Sequence, residues 1–260
     1  MQITDDLNRI ITIDSPPQRI ISLVPSLTEL LFNLGLEDWI VGVTKFCIHP
    51  AHAQQVATKI GGTKKFNFDR IKALEPDLII ANKEENYKEG IEQLSEDYAV
   101  YVSDIFDLND ALKTIQNIGL MTQTESKSQQ LVEKIQQRFE EVKDKLEGEV
   151  LYLIWQDPIM VAAADNFIDF LLQWLGLKNT AGHLTRYPAL DEEVLQSLSP
   201  DFVFLSSEPY PFKEKHLEKY KQLFPNAKVL LVDGEMFSWY GSRLIHSPKY
   251  FMSLPVSRRR

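Results

Sequence analysis

The stretch from Phe68 to Glu84, FDRIKALEPDLIIANKE, recurs 124 positions later as Glu192 to Glu208, EEVLQSLSPDFVFLSSE, and no other feature of this 260-residue chain restricts its fold as much. Both copies read the same way physically. Apolar residues at helical spacing come first, Pro-Asp then stops the helix and turns the chain, and a continuous apolar run of strand length follows. A strand that is apolar on both faces belongs in a parallel sheet covered by helices on either side. Other blocks agree at slightly different offsets. Leu31 to Leu36 (LFNLGL) is echoed by Leu172 to Leu177 (LQWLGL), each ending a helix at a glycine suited to the left-handed cap position. Val100 to Asp104 is echoed by Leu230 to Asp233 as a later strand. Each half therefore alternates strands and helices, and the expectation is an α/β protein of two lobes, each a parallel sheet flanked by helices.

Between the halves, residues 107–148 contain no proline and few strand formers. Leu131, Ile135, Phe139, Val142 and Leu146 fall at spacings of three and four, which predicts one long amphipathic helix of about 25 residues, roughly 35 Å in length. The resulting division is residues 1–106 as an N-terminal α/β lobe, 107–148 as a helical connector and 149–260 as a C-terminal α/β lobe. A coiled-coil dimerisation seam is the rival reading of the stripe. The stripe does not persist beyond four heptads and the helix has lobes to pack on, so a monomer is expected.

The opening Arg19 to Gly35 reads as a strand, a turn and a capped helix, with Ser26 and Glu29 in the spacing of a capping box. Together with Val41-Gly42-Val43-Thr44, the Gly61-Gly62-Thr63 turn, the Pro-Asp-Leu-Ile-Ile strand and the long connecting helix, this series resembles the helical-backbone (class III) periplasmic substrate-binding proteins of ABC importers, the receptors for ferric siderophores, haem and vitamin B12. The resemblance runs from about Arg19 to Leu244. It implies two α/β lobes joined by one rigid interdomain helix, a ligand held in the cleft between them, and an ABC permease dimer as partner. It also implies one surface glutamate per lobe docking onto permease arginines. Glu84 and Glu208 hold equivalent repeat positions and are the candidates, with Glu85 an alternative to Glu84; the plainer reading of these acids is a solubilising loop.

Open α/β sheets bind ligands at the carboxyl ends of their strands, which points independently to the loops there. In the first half they offer Pro25, Ser26, Phe46, Cys47, His49, Thr63 and Lys64. In the second they offer Trp155, Tyr187, Tyr210, Phe212, Trp239, Tyr240 and Arg243. Aromatic faces suit a flat or greasy ligand, and Arg243 could pair a carboxylate or phosphate. Packing of Phe237 and Trp239 into a core is the alternative. Cobalamin is the first expectation, because these candidates combine many aromatics with few charges, with an iron chelate (siderophore or haem) beside it. No intrinsic cofactor is expected.

Other classes find less in the residues. A formal net charge of -9 argues against a nucleic-acid surface, and the basic run Arg258 to Arg260 reads as a solvated tail. A bare metal-ion receptor would draw on His49, His52, His183 or His246, of which only the first two are close in sequence. Catalysis is not expected: no nucleophile elbow, phosphate-cradling glycine loop or His-Glu-x-x-His is present, and Cys47, the single cysteine, reads as a packing residue that excludes an intrachain disulfide. No apolar run approaches the ~20 residues that span a bilayer. The residues from Met1 onward lack the features of a secretory signal, so cytoplasmic placement, as a ligand-binding protein without a transporter, stays open beside the family's extracytoplasmic one.

Overall fold

A computed structural model describes residues 1–259; Arg260, the end of the expected basic tail, lies outside them. Packing divides the chain into two compact units. The first comprises Met1–Ile105, Asn109–Ile135 and Trp239–Ile245, and the second Phe106–Leu108, Gln136–Ser238 and, of the described residues, 246–259. Residues 239–245, which sequence reasoning placed with the C-terminal lobe, thus pack with the first unit.

The first unit is built on a five-stranded parallel sheet. In chain order its strands are β1 (Ile20–Ser22), β2 (Ile40–Val43), β3 (Thr58–Lys59), β4 (Leu78–Asn82) and β5 (Val100–Ser103), and across the sheet the order is β3-β2-β1-β4-β5. β1 sets Ile21 beside Ile79 and Ser22 beside Ile80 of β4. Ile21, Leu23, Ile79, Ala81, Val100 and Val102 share one apolar cluster with Ile71 of α2 (Phe68–Ala73) and with Ile91 and Leu94 of α3 (Lys88–Asp97). The alternate residues Ile20, Leu78, Ile80 and Tyr101 are buried as well, so both faces of the sheet are covered and the apolar runs need no alternation. α1 (Pro25–Asn33) leaves the end of β1 and closes at Gly35, φ 80°, where Leu36 N–H reaches back to the Leu31 carbonyl.

The expected connector is two helices, α4 (Leu108–Met121) and α5 (Glu125–Val142). Asn117 of α4 donates to the hydroxyl of Tyr101, whose burial pushes its pKa up to about 12. α5 carries the predicted stripe, with Leu131, Ile135, Phe139 and Val142 all buried, but it is 18 residues long, about 27 Å at the α-helical rise, rather than 25. The chain breaks at Asp144, φ 54°, whose amide bonds the Trp174 carbonyl, and Leu146 goes into a two-residue strand paired with Ser257–Arg258.

The second unit repeats the plan. Parallel strands β6 (Glu149–Trp155), β9 (Phe202–Ser206) and β10 (Lys228–Val232) lie side by side; β7 (Met160–Val161) runs antiparallel to β6, and β8 (Lys178–Asn179) parallel to it. α6 (Phe167–Trp174) ends at Gly176, φ 89°, with Leu177 N–H on the Leu172 carbonyl, the same cap as at Gly35. α7 (Glu192–Ser197) leads into β9 as α2 leads into β4, each bound lying 124 positions on. α8 (Glu214–Leu223) contributes Tyr220 to a cluster with Leu151, Leu153, Val203 and Leu205. α9 (Glu235–Ser238) lays Phe237 against Tyr152, ring centroids 5.2 Å apart.

The repeated Pro-Asp has one physical role in both halves. Asp77 accepts the backbone amides of Gln18 and Arg19 at 2.7 and 2.9 Å, and Asp201 accepts that of Glu149 at 2.8 Å. Each aspartate also gives its own amide to a carbonyl where the neighbouring strand begins, that of Arg19 just before β1 or of Glu149 in β6. The acid thus aligns the start of the strand that pairs with its own. Among the described residues no helix is long and apolar enough to cross a membrane.

Candidate functional site

In the first unit the loop after β2 is held from inside. Cys47 is buried, its sulfur 3.1 Å from the Thr28 hydroxyl and 3.2 Å from that of Thr44. Burial pushes the thiol pKa up, an effect the two threonine bonds oppose, so this is a packing sulfur rather than a nucleophile. That corrects its inclusion among ligand-binding candidates. Its anchoring turns the flanking side chains outward: Phe46 is 50% exposed, with Lys45 Nζ 4.9 Å from its ring centre, and Ile48 is 52% exposed. Ile48 lies in the strand-end loop that the sequence pointed to, although it was not among the residues chosen there as ligand-binding.

The helix that follows β1 corrects two more expectations. α1 begins at Pro25 with Val24 as the extended N-cap residue and no side-chain cap. Ser26 is therefore inside the first turn, and both Pro25 and Ser26 are buried. Glu29 does not close a capping box. Its carboxylate takes Arg243 Nε at 3.0 Å and Nη2 at 2.8 Å. Arg243 also stacks its guanidinium 4.8 Å from the Trp239 ring centre, and the half-buried His49 meets that ring edge-on at 5.4 Å. Trp239 and Tyr240 are 7% and 5% exposed, so the expectation of open aromatic faces there is corrected. They are packed because residues 239–245 are clipped onto α1, and a Cβ at Gly241 would come within 2.8 Å of the Ser26 carbonyl oxygen.

The loop after β4 is a tight acidic turn. Asn82 Oδ1 accepts the amides of Glu84 and Glu85, Asn86 Oδ1 accepts the Asn82 amide, and Asn86 Nδ2 donates to the carbonyls of Leu23 and Thr63. Lys64 donates to the Glu84 carbonyl at 2.6 Å and that of Asn86 at 3.3 Å, which ties its ammonium to the turn. Desolvation raises the Glu85 pKa; Lys64 opposes the shift and Glu84 adds to it.

In the second unit Trp155 ends β6 at 38% exposed, its indole N–H on the Asp157 carbonyl and its ring 5.6 Å from that of Tyr210. Tyr210 is half-buried. Phe212, proposed as a ligand residue, is instead in the core cluster, with its ring 4.8 Å from Tyr210 and 6.0 Å from Tyr220. Tyr187 is half-buried beside the Arg186 guanidinium, which lies 5.7 Å from its ring centre and 5.3 Å from that of Phe106, an exposed aromatic that sequence reasoning did not single out. After β9, Glu208 is half-buried and its Oε1 receives the Ser238 hydroxyl at 2.5 Å.

The strand-end loops thus present partly exposed aromatic and aliphatic side chains in each unit: Phe46 and Ile48 in the first, Trp155, Tyr187 and Tyr210 in the second. Arg243 and Lys64 are occupied by internal partners. Among the described residues no three His, Cys, Asp or Glu side chains gather as a metal-ligand set, and His52 is paired with Glu37 at 3.0 Å.

The family model described as "Periplasmic binding protein" matches residues 20–227. An uncharacterized ABC transporter substrate-binding lipoprotein, YvrC, of Bacillus subtilis (strain 168) is 28% identical over 94% of this chain and 81% of its own length. A vitamin B12-binding protein of Vibrio parahaemolyticus is 26% identical over 74% of this chain and 72% of its own length. In structure, the periplasmic vitamin B12 binding protein BtuF of Vibrio cholerae superposes with a TM-score of 0.78, 20% identity, and coverage of 90% of this chain and 94% of that one.

Proposed function

This chain belongs to the periplasmic binding protein family, a family of binding proteins and not of enzymes, and from that premise we propose that it captures a cobalamin for delivery to an ABC permease. The observation that carries the reading is the character of the strand-end loops. Phe46, Ile48 and Trp155 are exposed apolar groups there, whereas Arg243 is paired with Glu29 and Lys64 donates to the backbone carbonyls of Glu84 and Asn86. A corrin is large and presents extensive apolar faces with amide rims, and buried aromatic contact of this kind drives binding. A ferric catecholate carries several negative charges and calls for uncommitted cations. The vitamin B12-binding relatives support the same choice. An iron chelate such as haem is the second reading, since the exposed ring of Trp155 would suit a flat macrocycle as it suits a corrin.

Glu84 and Glu208 are proposed as the acids that dock on the permease. Both follow equivalent strands of the repeat, and both sit in turns fixed by side-chain hydrogen bonds. The test is equilibrium dialysis against cyanocobalamin, haem and a ferric catecholate. Saturable 1:1 uptake of cyanocobalamin, tighter than the other two, is the expected result. Preference for the catecholate would overturn the cobalamin assignment, and uptake of none of the three would overturn the organometallic reading as a whole.

A further inference from the structure

We infer that Asn86 is a positioning residue for the ligand, its buried side-chain amide fixing the hairpin on which the Phe46 ring lies; this rests on the reading above, in which Phe46 meets the cobalamin. Asn86 is 4% exposed, and both ends of its amide are used. Oδ1 accepts the Asn82 amide at 2.9 Å, while Nδ2 donates to the Leu23 carbonyl at 3.2 Å and to the Thr63 carbonyl at 3.0 Å. One side chain thereby joins three strand-end segments: Leu23 just after β1, the hairpin of residues 61–66 beyond β3, and the turn after β4.

The hairpin in turn carries the ring. Gly61 and Gly62 pair antiparallel with Phe66 and Lys65, and Thr63 and Lys64 form the tip. Lys64 bonds the Glu84 and Asn86 carbonyls, so the tip is held on both sides. The Gly61 carbonyl accepts the Lys45 amide at 2.8 Å, which ties the residue before Phe46 to the hairpin. A Cβ added at Gly62 would stand 3.4 Å from Phe46 Cε2 and 3.6 Å from Lys45 Cε, so the ring and the lysine stem rest on that glycine. Phe46 is half exposed and yet supported from beneath. Asn86 reaches it through the backbone of Thr63 and Gly62.

The repeat gives this position a counterpart. Two residues beyond the duplicated stretch, Asn86 corresponds to Tyr210 of the second unit. Tyr210 packs on the exposed Trp155, with ring centroids 5.6 Å apart. The same position thus supports an exposed aromatic in each half, by ring contact in one and by an amide-held hairpin in the other.

An exposed aromatic that is held in place has already lost part of the freedom that binding would otherwise remove. Asn86→Asp keeps the acceptor for Asn82 but sets an oxygen, in place of the N–H donors, against the Leu23 and Thr63 carbonyls. Releasing the hairpin in this way is expected to weaken cyanocobalamin binding about fivefold, as for ordering one side chain at an interface.

The test places para-fluorophenylalanine at position 46 of the whole protein and records its fluorine NMR signal, beside titration calorimetry of cyanocobalamin and the melting temperature. Asn86→Ser, which brings no charge into the seat, accompanies Asn86→Asp so that failure of one to fold leaves the other to be read. In both, the fluorine signal should move toward its position in the urea-unfolded chain, and affinity should fall about fivefold. On a Phe46→Ala background, Asn86→Ser should cost no further affinity. A fluorine signal that does not move, or a loss that persists in full without the Phe46 ring, would overturn the positioning role and leave the ligand reading intact. No binding of cyanocobalamin by the unmodified protein would overturn the ligand reading, and the part of Asn86 in affinity with it.

Discussion

Arg243 grips Glu29 with two charged hydrogen bonds, 3.0 and 2.8 Å long, although 214 positions of sequence separate them. The pair fastens residues 239–245 onto α1, and both side chains are largely shielded, 11% and 22% exposed. Charged, partly buried bonds of this kind are among the stronger ones, and breaking one strands the remaining partner.

Arg243→Ala should therefore destabilise the fold by about 2 kcal/mol in urea unfolding, and Glu29→Ala by a similar amount. The double variant should cost clearly less than the two singles combined, because the second substitution removes a partner already lost. Strict additivity would show that the two side chains do not act as a pair.

The Pro-Asp repeat makes a second, quantitative expectation. Asp77 holds two backbone amides with its carboxylate and Asp201 holds one. At about 1 kcal/mol for each such bond at a solvent-facing site, Asp77→Ala should cost about twice what Asp201→Ala costs. Chemical denaturation of the two variants checks the ratio; a larger loss at Asp201 would contradict the strand-aligning role.

How far the sequence carried is clear from these same residues. The repeat was legible because Pro-Asp, the glycine caps and the apolar runs are local, and α2–β4 and α7–β9 follow it bound for bound. The burial of Trp239 and Tyr240 was not, because an aromatic-rich segment reads alike whether it lines a site or packs against a helix, and its anchor, Glu29, lies in the distant N-terminal half. The same cause spoiled the capping box: Ser26 and Glu29 have the right spacing, but Pro25 takes the first helical position and Glu29 is claimed by Arg243. The connector stripe failed only at Leu146, beyond the left-handed Asp144 that ends the helical path.

Glu85 supplies a pH dependence. Its pKa in the fold is raised, chiefly by desolvation, so the folded protein holds that proton more tightly than the unfolded chain does. The resulting stability is fully present below the ordinary glutamate pKa and is lost as the pH rises through the higher folded value. Glu85→Gln should flatten this part of the stability profile and raise the urea midpoint relative to the unmodified protein near neutrality. Parallel profiles for the two proteins from pH 4 to 7 would show that the carboxyl is effectively solvated.

On the function proposed above, exposed apolar side chains of the strand-end loops, Phe46 and Trp155 among them, contribute to the affinity for cobalamin. Titration calorimetry of cyanocobalamin into the unmodified protein and into Phe46→Ala/Trp155→Ala tests it directly. An aromatic side chain packed on a corrin is worth about 1 kcal/mol, so the double variant should bind at least about tenfold more weakly with an unchanged melting temperature. Undiminished affinity in the double variant, or no heat of binding in the unmodified protein, would contradict the account.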